Sequence, residues 1–242
     1  DGMTIEREDL VILLLLLCCA IPLYLWRVYD VPVQVNTDEI HIGDYFEKAV
    51  TMPSPDLFGL SDYFDFPFFV FYFFGLIAKA LGGVDFYHAR MAHALSGALI
   101  TIPAYMLFRL FWERKYAVGA TAVLMSNHAL IAISRMVSRN NVLAFNVCFA
   151  LFFLLLGIKR KSPFYTFIGG VAAGLSFYQY PPARLIFPLW GVVLGVLIVV
   201  YQHKISLSRI VVGGIVAAIG FFMTSGPNII ALWKIPAANN SY

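Results

Sequence analysis

Seven stretches of the chain, about 10–27, 89–111, 116–134, 141–158, 164–181, 183–201 and 210–231, stay apolar over a length near that of a bilayer crossing. Hydrocarbon offers no partner to an unpaired amide or carbonyl, so runs of this length, roughly 20 residues, settle in lipid as helices. Composition points the same way. Of the 242 residues, 60% are hydrophobic and 13% charged, with a mean hydropathy of +0.78, whereas about a quarter of a soluble domain is charged. The expected fold class is an all-α polytopic membrane protein, with about seven transmembrane helices in a single module spanning 1–242.

Charge then orients the spans. All fourteen acidic residues lie at or before Glu113, and eleven of the seventeen Lys and Arg follow it. Such a surplus marks cytoplasmic loops rather than a nucleic-acid surface. Lys159-Arg160-Lys161 is the least ambiguous of these loops. Alternating outward from it puts 109–115 and 203–209 inside as well. The amino terminus joins them only if the sixteen-residue aromatic run 66–81 does not cross. We therefore read 66–81 as a juxtamembrane helix in the outer interface, with an ordinary short span as the alternative. The outer side then holds a long first loop, about 28–88, that carries nine of the fourteen acidic residues. The expected location is the cytoplasmic (inner) membrane, multi-pass, with the unusual polar residues converging on the outer face. No cleavable leader is expected, because Glu6, Glu8 and Asp9 precede the first apolar run. Cys18, Cys19 and Cys148 sit inside apolar runs as packing residues, and no disulfide framework or metal-ligand spacing is apparent.

The chemistry gathers on the outer side. Asp38 and Glu39 precede Ile42, Tyr45, Phe46, Ala49 and Val50, which fall at helical spacing and predict an amphipathic helix along the membrane. A carboxylate at the start of that helix can act as general base toward a hydroxyl nucleophile. Equally, Thr37 or Asp38 can serve as its cap. Arg90, Arg135, Arg139 and Arg184 are expected at the same face. Guanidinium groups pair bidentately with phosphate, which makes a lipid phosphate or pyrophosphate their natural ligand; snorkelling to headgroups is the plainer reading of any one of them. Tyr178 and Tyr180, on a turn stiffened by Pro181-Pro182, add phenols suited to a sugar. The mid-span polar residues His93, Ser96, Asn127, His128 and Asn146 read as helix-packing hydrogen-bonders, and Gly213, Gly214 and Gly220 as close helix contacts.

In this order the residues resemble the glycosyltransferase-C superfamily, especially its protein O-mannosyltransferase and aminoarabinose transferase branch. Asp38-Glu39 after the first span is similar to the acidic motif of that group. Phe66-Pro67-Phe68, the aromatic run and Leu81-Gly82-Gly83 are similar to its His-Pro-Pro-Leu juxtamembrane helix. Here Asp65-Phe66-Pro67 stands where those enzymes carry His-Pro-Pro. Arg90-Met91 with Gly97, Ser134-Arg135, and Gly174-Leu175 through Tyr180-Pro181 to Ala183-Arg184-Leu185 complete the likeness over most of 25–190.

The resemblance implies inverting transfer of a sugar from a polyprenyl-phosphate donor to an acceptor hydroxyl on the outer face. Asp38 would be the general base, supported by Glu39. The donor phosphate would fall to Arg90, Arg135, Arg139 and Arg184, and the substrate to Asp65, Tyr178 and Tyr180. No cofactor other than the lipid-linked donor is implied, and neither composition nor resemblance points to nucleic acid. Membrane lipid, and other membrane proteins in a complex, are the further partners expected. The chain is expected to be the amino-terminal part of a longer protein. A noncatalytic accessory subunit of a membrane complex is the competing reading, and a transporter is a third.

Overall fold

The structure, a computed structural model, describes residues 6–30, 37–53, 68–137, 140–179, 185–201 and 206–233. Among them every element is a helix. They are α1 (Arg7–Leu25), α2 (Thr37–Thr51), α3 (Phe68–Leu81), α4 (Phe86–Leu99), α5 (Thr101–Arg109), α6 (Arg114–Met125), α7 (His128–Ser134), α8 (Asn140–Arg160), α9 (Pro163–Leu175), a 3-10 turn (Ser176–Tyr178), α10 (Ile186–Tyr201) and α11 (Leu207–Trp233). Each of the seven expected spans coincides with one or two of these.

Four helices are long and apolar enough to cross a bilayer: α1, α4 with α5 as one 24-residue stretch (Phe86–Arg109), α8 and α11. The α4–α5 junction at Ile100 lies just before Pro103, which has no N–H to return to the carbonyl one turn back. The expected span 116–134 is not continuous. It is broken into α6 and α7 with a 56° bend. Asn127 is the reason: its Oδ1 accepts from the amides of Ala129 (3.0 Å) and Leu130 (3.2 Å) and starts α7 afresh. This bent pair is a fifth crossing if taken as one span. α9 and α10, with 13 and 16 residues, stand where the fifth and sixth spans were expected and are shorter.

Charge pairing gathers three segments at one end of the bundle. Asp9 of α1 is fully buried and accepts from Tyr105 Oη (2.7 Å), Arg109 Nε (2.9 Å) and Arg114 Nε (3.4 Å). Arg114 also pairs with Glu6 (2.7 Å) and Glu8. Lys159 Nζ donates to the Leu110 carbonyl at 3.1 Å. The start of α1, the 109–115 connection and the end of α8 thus share a basic end, the arrangement the charge argument requires. At the other end Tyr29, just past α1, stacks edge-on against Tyr87 of α4 at 5.5 Å. The chain leaves α1 and enters α4 at the same end, so α2 and α3 together make no net crossing.

Packing explains how α2 and α3 are held there. Ile42, Tyr45, Phe46 and Ala49, the stripe expected from spacing, are buried against Val70, Phe71, Phe74 and Ala78 of α3 and Ala89 and Ala92 of α4. α3 ends in a Schellman-type turn: the Gly83 amide donates to the Ala78 carbonyl and the Gly82 amide to Lys79, both at 3.2 Å. Gly82 adopts φ +129°, open only to glycine. A second core joins α8 and α9 to α11, with Trp190 of α10 against Phe221. A Cβ on Gly220 would stand 2.6 Å from the Phe167 carbonyl, so this glycine does mark a close helix contact. His93 and Ser96 bond to carbonyls of their own helix, those of Ala89 (2.9 Å) and His93 (2.8 Å).

Candidate functional site

The end of the bundle opposite the basic cluster carries most of the residues singled out by chemistry. Thr37 and Asp38 form the first turn of α2, with Asp38 on the stripe of Ile42, Tyr45 and Ala49 by helical spacing (i, i+4, i+7, i+11). The side chain of Asp38, and all of Asp65, Arg139, Tyr180 and Arg184, lie outside the described residues.

Glu39 is the anchor of that turn. It is 1% exposed, as is Arg90, and Arg90 Nη2 donates to Glu39 Oε2 at 3.1 Å while Nε donates to Oε1 at 3.3 Å. Oε1 also accepts the Val137 amide at 2.9 Å. One carboxylate therefore ties α2 to α4 and to the α7–α8 connection. The planar face of Arg90 lies 4.5 Å over the Phe86 ring, a favourable site for a guanidinium. A buried pair of this kind holds only when further bonds complete it, and Val137 supplies one.

Arg135 is engaged differently. Its Nη2 donates to the Leu23 carbonyl (2.8 Å) and its Nε to that of Tyr24 (3.2 Å), closing the otherwise unpaired carboxyl end of α1. Of the four arginines expected at this face, the two that are described, Arg90 and Arg135, thus donate to the Glu39 carboxylate and to the end of α1. Tyr178 is buried in the same cluster as α2 and Val137, and its hydroxyl donates to the Thr224 carbonyl at 2.7 Å. Next to it, Gln179 Oε1 is buried with no hydrogen-bond partner among the described residues, and so are both side-chain polar atoms of Asn228, one turn beyond Thr224.

Two contributors went unread in the sequence. The Val137 amide carries no side-chain signal at all. Asp85 carries one: a carboxylate after Gly82-Gly83 and just ahead of an apolar helix is a start signal. Its Oδ1 accepts from the amides of Tyr87 (2.9 Å) and His88 (3.1 Å), and its Oδ2 meets His88 Nδ1 at 2.7 Å. Partial burial pushes this carboxyl up, but the His88 amide and ring and the Tyr87 amide outweigh it and hold it below its ordinary value. This cap fixes the start of α4 one turn before Arg90.

The comparisons bear on this arrangement. A profile described as dolichyl-phosphate-mannose-protein mannosyltransferase matches residues 65–227, about two thirds of the chain. No curated protein matches. Among solved structures, the apo oligosaccharyltransferase of Archaeoglobus fulgidus superposes with a TM-score of 0.67 at 17% identity, over 93% of this chain and 32% of that one. The same organism's oligosaccharyltransferase tethered to an acceptor peptide gives 0.67 at 16%, over 95% and 34%. Archaeal AglB in complex with an inhibitory peptide and a dolichol-phosphate gives 0.65 at 18%, over 94% and 33%. The chain thus spans about a third of the length of the structures it matches, and the likeness establishes a glycosyltransferase-C fold. With a family profile covering Arg90, the α6–α7 break, the α8–α9 hairpin and most of α11, the chain belongs to the dolichyl-phosphate-mannose-protein mannosyltransferase family.

Proposed function

We propose that this chain is the catalytic membrane module of a glycosyltransferase that moves a sugar from a polyprenyl-phosphate donor to an acceptor hydroxyl, on the side opposite the basic end. The observation that carries this reading is the buried Glu39–Arg90–Val137 knot. It fixes the first turn of α2 at the meeting point of α4, the α7–α8 connection and the turn that follows α9. Asp38 precedes Glu39 in that turn. Family membership and the dolichol-phosphate bound by AglB support a lipid-phosphate donor.

In this scheme the acceptor oxygen forms a bond to the anomeric carbon as the bond from that carbon to the donor phosphate oxygen breaks. The proton passes to the Asp38 carboxylate and the charge leaves on the polyprenyl phosphate. Attack opposite the leaving group inverts the anomeric centre. Glu39, Arg90 and Arg135 act as positioning residues through the contacts described above. The donor phosphate falls to Arg139, two residues after Val137, and to Arg184, five after Gln179. Asp65 and Tyr180 are assigned to the substrate's hydroxyls, and Tyr178 to holding the turn through Thr224.

The test uses the full-length protein in proteoliposomes with a panel of polyprenyl-phosphate sugars and an NMR readout of the product's anomeric configuration. Transfer with inversion is expected. Retention would overturn the mechanism, and absence of transfer across the panel would favour the accessory-subunit reading.

A further inference from the structure

The basic end holds a cleft of about 90 Å³ between the α8–α9 turn and the start of α11. Lys161 and Arg209 line it together with Ile158, Val212, Gly213 and Val216. Neither cation has a carboxylate partner among the described residues. The carboxylates of this end are already taken: Glu6 and Glu8 by Arg114, Asp9 by Arg109 and Arg114, and Glu113 by Lys115 at 3.4 Å. No acidic residue follows Glu113 anywhere in the sequence.

A second observation concerns the backbone. α8 ends with the Ser162 amide donating to the Gly157 carbonyl at 2.9 Å, a closure that places Lys161 in the left-handed region, with φ +55°. Glycine or asparagine holds that position with less strain than lysine. Strain retained at one residue signals a task for its side chain, and here the side chain lines the cleft. Apolar side chains beside two cations that have no carboxylate partner among the described residues, at a bilayer surface, match one ligand chemistry: a phosphate joined to an acyl chain.

We propose that this cleft binds an anionic membrane phospholipid, with Lys161 and Arg209 on the phosphate and the α8–α11 wall against the first part of an acyl chain. The site lies at the opposite end of the bundle from the proposed donor site and does not depend on it.

The test reconstitutes the full-length protein in phosphatidylcholine with a minor fraction of phosphatidylglycerol and counts retained lipids by native mass spectrometry. The parent should keep phosphatidylglycerol in preference to phosphatidylcholine. Lys161→Asn and Arg209→Gln should each weaken that retention about fivefold, and the double variant roughly 25-fold. Asn is less strained than Lys in the left-handed position, so thermal unfolding of Lys161→Asn in pure phosphatidylcholine should occur at or above the parent's temperature. Lys115→Gln, at the same end but outside the cleft, should change nothing. Val212→Trp would obstruct the wall while keeping both cations, and should lower retention even if the double variant does not fold. Equal retention of the two lipids by the parent would sink the proposal. So would a parent-like preference in either the double variant or Val212→Trp. Displacement of phosphatidylglycerol by dilute inorganic phosphate would show a bare anion site and contradict the lipid assignment.

Discussion

Neutralising both members of the Glu39–Arg90 pair should cost well under the sum of neutralising each alone. The side chains are 2% exposed on each side, so neither charge can turn to water when its partner is lost. At an effective dielectric of about 20, two charges in contact attract by roughly 4 kcal/mol. Desolvation offsets much of that attraction while the pair is intact, but an orphaned charge keeps the desolvation cost alone. Breaking such a pair costs about 3–5 kcal/mol. Glu39→Gln leaves an acceptor for the Val137 amide and preserves shape, so its cost should sit near the lower figure. Arg90→Gln removes the counter-charge from a carboxylate that stays ionised and buried, and should cost more. In Glu39→Gln/Arg90→Gln the two amides can bond to each other, and the double variant should be less damaged than the sum of the singles by about 2–3 kcal/mol. Reversible SDS unfolding of the four proteins, followed by tryptophan fluorescence, closes the cycle. Additivity within about 0.5 kcal/mol would mean the two residues are not coupled. The knot would then not be what holds α2.

Two other outcomes follow from the fold. With Cys18, Cys19 and Cys148 replaced by Ala, an impermeant thiol reagent should label Thr51→Cys and Ser162→Cys from opposite sides of the membrane; labelling from the same side would mean that the segment between α1 and α4 crosses. The Asp85 carboxyl is held low in the folded protein, so its stabilising effect is present above the ordinary carboxylate pKa and fades as pH falls through the folded value. Asp85→Ala should therefore cost about 1 kcal/mol at neutral pH, as an N-cap loss does, and close to nothing in acid, as read by unfolding at the two conditions.

Much of this architecture was legible because lipid imposes it. Apolar runs near 20 residues located α1, α4–α5, α8 and α11, and the stripe from Ile42 to Ala49 located the buried face of α2. Charge counting placed the start of α1, Arg109 to Lys115 and Lys159 at one end, since burying unpaired charge in hydrocarbon is costly. Sequence could say which end Arg90 and Arg135 occupied but not which atoms they met. Arg135 reaches Leu23 and Tyr24 because α1 happens to end beside it with open carbonyls, and Arg90 reaches Glu39 across fifty residues of chain. The break at Ser126-Asn127 was hidden by its apolar flanks, although Asn ahead of a helical run is a cap signal. The site is legible only in part: Glu39 and Arg90 stand together as chemistry would pair them, whereas their bond to Val137 depends on a backbone amide that no side chain announces.

Transfer by the full-length protein with Asp38→Asn is the most direct measurement of the account's central claim. The amide keeps the shape of the carboxylate and some capping ability, and the Glu39–Arg90–Val137 knot is untouched, so the protein should fold as the parent does. Loss of the base should lower the rate of sugar transfer from a polyprenyl-phosphate donor by about 10²-fold or more, with donor binding retained. Near-parental transfer by a folded Asp38→Asn protein would contradict the account, and would reduce the start of α2 to a helix cap.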